Sequence, residues 1–163
     1  MKIWKKMKTI VAAGLASMMV LGLAGCGSSN ADVDIDPVAL ADDMRASVTF
    51  QDQLSEVDLD KVLSLYGIDS EIVDSGKAYL STNATAEEIA VIKAKTAEDV
   101  DTIKTAVQNR VASQLQSFES YNANEVPKLE NPVIETAGNC VILCVCDDKG
   151  EAEAVIDSYT AAK

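Results

Sequence analysis

The chain has no histidine anywhere in its 163 residues. That absence removes Ser-His-Asp and Cys-His nucleophile activation, histidine general bases and histidine-containing zinc sites in one step. Aromatic residues are scarce at 4%, and basic residues number 14 against 26 acidic ones, for a net charge of −12. The longest uncharged, mostly apolar run, Thr9 to Ala24, has 16 residues. A permanent spanning helix needs roughly 20 residues to cross about 30 Å of hydrocarbon, so this run fits a secretory signal better than a transmembrane segment.

What is present at the amino terminus agrees with that reading. Lys2, Lys5, Lys6 and Lys8 precede the apolar run, which closes in Leu23-Ala24-Gly25-Cys26. Small residues ahead of a cysteine resemble the lipobox of bacterial lipoproteins, in which the thiol receives diacylglycerol. The sequence therefore predicts a signal peptide over 1–25 and a lipid-anchoring Cys26. Location follows: the outer face of a bacterial cytoplasmic membrane, held by two or more acyl chains including palmitate-like ones. The polar, acidic stretch 26–36 reads as a disordered tether and 37–163 as one α+β domain.

The four lysines are the only charges in 1–25, leaving 10 basic against 26 acidic residues, a net of −16, on the remainder. Such a surface repels phosphate backbones, which argues against nucleic acid as a partner.

Along the domain, Asp36-Pro37 reads as an N-cap and first helical residue, with Leu40, Met44 and Val48 at four-residue steps. Asp58 opens a second short helix through Leu59, Val62, Leu63 and Tyr66, ended by Gly67. Ser75–Thr82 and Glu88–Lys95 read as a strand pair. Thr85-x-x-Glu88 is also a capping box, leaving a helix open for the second segment, but Thr96-x-x-Asp99 supplies a fresh helix start just beyond it. A long helix follows over Ala97–Ser120, with Val100, Ile103, Val107, Val111, Leu115 and Phe118 on one stripe. "PVIETAGNCVILCVCDD" predicts a hairpin turning at Ala137-Gly138-Asn139, and Ala152, Val155, Ile156 and Tyr159 a closing helix. The expected fold is two short helices, then strand, strand, long helix, strand, strand, helix. That order makes a four-stranded, mainly antiparallel sheet covered by helices on one face.

The run "ATAEEIAVIKAKTAEDVDTIKTAVQNRVASQLQSFESY", followed by "EVPKLENPVIETAGNCVILCVCDD", resembles a family of small bacterial lipoproteins whose single domain is of unknown function. The resemblance covers Leu59 to Tyr159, and its recognisable points are Glu88–Val91, Arg110, Tyr121 and the Ala-Gly-Asn turn. It implies location and fold, and brings no catalytic residue with it. Family members usually carry an aromatic or aliphatic residue after the turn, where this chain has Cys140.

The chemical candidates are few. Cys140, Cys144 and Cys146 share one face of a strand, spread over about 20 Å, and so cannot by themselves converge on a metal. They read as apolar filling of a central strand covered on both sides. Asp32, Asp34 and Asp36 alternate like the start of a calcium loop but lack its glycine and closing glutamate. "DSGKA" at Asp74–Ala78 lacks the rest of a phosphate loop. Asp147 and Asp148 precede the last helix and suit its positive end. Arg110 is expected to pack its stem beside the sheet and pair with a nearby acid. No catalytic residue, metal ligand or cofactor site is expected. The function read from the sequence is that of a non-enzymatic, lipid-anchored extracytoplasmic domain binding a protein or envelope component. The alternatives are capture of a small ligand or cation, and, third, a carboxylate or Ser-Lys hydrolase.

Overall fold

The structure, a computed structural model, describes residues 33–161. The expected signal peptide, Cys26 and most of the tether lie outside the described residues. From Val33 onward the chain is packed: Ile35 is buried, and Asp34 accepts from the Lys93 ammonium at 2.6 Å. Residues 33–36, expected as part of the tether, thus lie against the sheet.

Helix α1 (Pro37–Ser47) opens as its residues dictate, with Pro37 in the first turn and the Asp36 carboxylate accepting from the Val38 and Ala39 N–H groups. After the short strand β1 (Ser55–Val57), Asp58 caps α2 (Leu59–Tyr66) by accepting from the Asp60 N–H. Gly67 ends this helix at φ 71°, the left-handed conformation that glycine takes without cost. Strands β2 (Val73–Leu80) and β3 (Glu88–Ala94) form the first hairpin. The long helix α3 (Val100–Tyr121) and a short α4 (Val126–Glu130) lead into β4 (Val133–Ala137), β5 (Cys140–Val145) and the closing α5 (Lys149–Thr160).

The class is α+β as expected, but the sheet has five strands, all antiparallel, in the order β1-β2-β3-β5-β4. The extra one, β1, is three residues long and mostly exposed, so it lacks the apolar alternation by which strands announce themselves. It exists because its backbone pairs with Ala78–Leu80 at an otherwise open edge. The segment 88–94 is strand, and the capping-box alternative is not used.

Helices cover both faces of the sheet, which corrects the one-face expectation. On one side α2, α3 and α4 pack over Ala78, Ala90, Ile92, Val141, Leu143 and Val145. On the other, α1 and α5 pack over Tyr79, Ile89, Val91, Cys140, Ile142 and Cys144. The reason lies in β3 and β5, whose central residues are apolar at every position and would leave a bare face under one-sided cover.

The β4–β5 turn uses Gly138 at φ 54°, and a side chain there would sit 2.0 Å from the Val33 carbonyl oxygen. The incoming N-terminal segment therefore crosses this turn in backbone contact. Cys140 Sγ faces the Ile35 carbonyl at 3.8 Å beside it.

Candidate functional site

Four connections meet at the opposite end of the sheet, where β3 begins and β5 ends, and they are tied together by one buried lysine. Lys128 of α4 has its side chain only 3% exposed; its ammonium lies 3.0 Å from Glu87, 3.1 Å from Glu125 and 3.5 Å from Asp147. Burial works against its charge, but the hydrogen bonds to Glu87 and Glu125 outweigh that and hold it above the ordinary lysine range.

Glu87 is fully enclosed and shares its oxygens among donors from other loops. It accepts from the Gln51 and Asp52 N–H groups at 2.9 Å each, from the Thr85 hydroxyl at 3.2 Å and from Lys128. Glu125 accepts from the Ala86 N–H at 2.9 Å, and the Gln51 side-chain amide donates to Asp147 at 2.6 Å. Every buried side-chain polar atom among the described residues has a partner. Three carboxylates around one ammonium are tolerable here because backbone N–H groups supply the remaining positive potential.

A second buried charge lies beneath α2 and α3. Glu88, the neighbour of Glu87, accepts from the Tyr66 hydroxyl and from Arg110, whose Nη2 stands 2.9 Å and Nε 3.3 Å away. The guanidinium also lies 5.8 Å from the Tyr66 ring centre. Burial first, then the Glu88 charge, pushes the Tyr66 hydroxyl well above its ordinary value. Arg110 thus pairs with a nearby acid, as its place in the sequence suggests. Tyr66 and Glu88 on one side and Glu87, Glu125 and Lys128 on the other are what sequence reasoning missed. The usable signal was Glu87-Glu88 itself, two carboxylates at the start of the apolar run Ile89–Ile92.

The remaining sequence candidates are dispersed. Asp34 pairs with Lys93, Asp36 and Asp148 cap helices, and Asp32 lies outside the described residues. Within Asp74–Ala78, Gly76 lets β2 approach closely, since a side chain there would meet the Val91 carbonyl at 2.9 Å and Leu59 at 3.2 Å. Lys77 is paired with Asp42 at 2.8 Å and Glu56 at 3.4 Å, so the Gly-Lys pair is strand structure and not a phosphate cradle. Cys140, Cys144 and Cys146 are buried free thiols on the α1/α5 face, and burial pushes Cys140 up to about 11. Among the described residues no group of three or more acidic or thiol side chains is placed to hold a metal, and no helix is long and apolar enough to cross a membrane.

The chain belongs to the family of the Domain of unknown function (DUF4358), which matches residues 46–146. No curated protein and no solved structure matches it. The matched segment holds the whole sheet together with Glu87, Glu88, Arg110, Glu125 and Lys128. Most of α1 and all of α5, the cover of the thiol-bearing face, fall outside it.

Proposed function

We propose that this member of a family of unknown function is a lipid-anchored extracytoplasmic domain that binds a protein or another envelope component. The carrying observation is the basic, then uncharged, amino terminus ending in Leu-Ala-Gly-Cys26, with Val33, seven residues later, already against the β4–β5 turn. At no more than ~3.6 Å per residue, that separation keeps the domain within about 25 Å of the lipid surface.

The path of the N-terminal segment supports an orientation. It enters over the β4–β5 turn at Gly138, whereas the Glu87–Lys128 end lies the length of β5 away, about 20 Å. A tether attached at one end of the sheet turns the other end outward. The loops joined by Lys128 are then the ones a partner meets first, and their buried ionic ties hold them in one arrangement. The charges at this end pair with each other and with backbone donors, a structural use that supports binding over catalysis.

The test is direct. Cells making the protein are grown with a labelled fatty acid and fractionated. Label and firm membrane association are expected in the wild type and lost in C26A; equal association of C26A would overturn the anchor. Crosslinking in intact cells followed by recovery of the protein then identifies what the outward end touches.

A further inference from the structure

The sheet has two edges, and they differ. Strand β1 is three residues long and mostly exposed, whereas β4, at the other edge, has five residues and is buried at both ends. The two-residue turn at Gly138-Asn139 pairs Ala137 with Cys140, and hydrogen-bonded positions alternate along the ladder from there. Val133, Glu135 and Ala137 therefore direct their backbone groups to β5, while Ile134 and Thr136 turn theirs outward. Among the described residues no hydrogen bond reaches those outward groups.

The side chains along this edge are sorted by charge. Ile134 and Thr136 stand opposite Leu143 and Val141 and share the α3 face, whereas Glu135 stands opposite Ile142 on the other face. Helix α1 lies over β2 and β3 on that face and α5 over β4. Ala152 and Ile156 of α5 are turned to the sheet, and Glu151 and Val155 share a hollow with Asp43 and Ser47 of α1. At roughly 100° per residue, Glu153 and Asp157 then lie on the flank away from α1, above the free edge. Both are exposed. No cation among the described residues pairs with Glu135, Glu153 or Asp157. Burial, and after it the charges of Glu153 and Asp157, raises the Glu135 carboxyl above its ordinary value.

An open strand edge can take a second copy of the chain, the chain's own leading residues or a strand from another protein. Charge separates these. A symmetric antiparallel pair that uses both outward residues sets Ile134 of one copy against Thr136 of the other, and so Glu135 directly against Glu135, which is repulsive. A charge at mid-edge guards against such self-pairing. Residues 26–32 carry no basic side chain to offset the acids. We infer that β4 is the docking edge for an extended segment of a partner protein, which adds as a sixth strand and sets a lysine or arginine opposite Glu135. Ile134 and Thr136 supply the main-chain hydrogen bonds, and the three carboxylates select the cation. The partner residues beside Ile134 and Thr136 share the α3 face and are apolar, so the segment alternates apolar and basic residues. This inference rests on the reading of a partner-binding domain and needs no lipid anchor.

The full chain, purified in mild detergent, is titrated with a short fluorescent peptide alternating valine and lysine, and with a version carrying glutamate for lysine. Binding of the lysine peptide alone is expected, weakened about tenfold in E135K. The double variant E135K/E153K should take the glutamate peptide instead, a gain that no misfolded protein would show. D60K, on α2 over the opposite face, controls for net charge and should bind like the wild type. Amide hydrogen exchange read by NMR should show Ile134 and Thr136 protected only once the lysine peptide is present. No binding, binding without that protection, or equal weakening in E135K and D60K would overturn the docking edge. Protection already present without peptide would overturn it too, assigning the edge to a second copy if the protein sediments as a dimer and to residues 26–32 if it is a monomer. Loss or retention of membrane association in C26A alters none of these readouts, so the anchor and the docking edge fail separately.

Discussion

Lys128 and Glu87 are 41 residues apart in the chain and meet at 3.0 Å with side chains 3% and 0% exposed. Between them they hold α4, the β2–β3 connection and the segment after α1 in one cluster. Removing the lysine leaves two enclosed carboxylates without their cation, a loss of about 3–5 kcal/mol. Lys128→Met is expected to lower the urea midpoint accordingly. A change below about 1 kcal/mol would show that the carboxylates find other compensation.

Tyr66→Phe removes one donor from Glu88 while Arg110 keeps the other oxygen, and should cost about 1–2 kcal/mol near neutral pH. The wild-type hydroxyl is held protonated in the fold above its ordinary value, so the folded state binds more protons than the unfolded one once pH passes about 10. Stability contributed by Tyr66 is complete below that pH and is lost as pH rises. Unfolding free energies of both proteins from pH 8 to 11 should therefore converge, and a constant gap would contradict the linkage.

Gly138→Ala and Gly67→Ala separate conformational cost from steric cost. Both positions have positive φ, 54° and 71°, worth about 1–2 kcal/mol against alanine. Nothing lies within 4 Å of an added carbon at Gly67, whereas at Gly138 it would be 2.0 Å from the Val33 carbonyl. The Gly138 variant should lose clearly more stability in thermal melts, and equal losses would mean that the N-terminal segment moves aside freely.

Thiol labelling reads the burial of the cysteine strand. Cys140 and Cys144 are completely enclosed and Cys146 is 3% exposed, beside a hollow of about 230 Å³. A small alkylating reagent should modify Cys146 first and the other two only at the rate of global unfolding. Rapid modification of all three in the native protein would rule out this packing.

The elements with strong local patterns were legible from the chain alone. Asp36-Pro37, Asp58 with Gly67, the stripe from Val100 to Phe118 and the Gly138 turn each carry a cap, a period or a backbone requirement within a few residues. The alternation in β5 was equally readable: Val141, Leu143 and Val145 do face α3, and the cysteines face α1 and α5. Strand β1 and helix α4 were not legible, since three exposed residues and five residues around Pro127 carry no period long enough to detect. The two apolar faces of the cysteine strand did imply cover on both sides, but which helices supply it was not legible, because whether α1 and α5 lie over the same face as α3 is a question of topology.

What the sequence by itself determined is therefore the α+β class, the ends of the main helices and the exclusion of histidine chemistry. All of these depend on residue type and near-neighbour spacing. Only the tertiary structure decided the charge clusters. Glu87 and Glu88 are adjacent in sequence yet belong to different ion pairs, one with Lys128 and one with Arg110, 41 and 22 residues away. A buried charge is stable only beside a partner that the fold delivers, and no local pattern encodes which distant cation that will be.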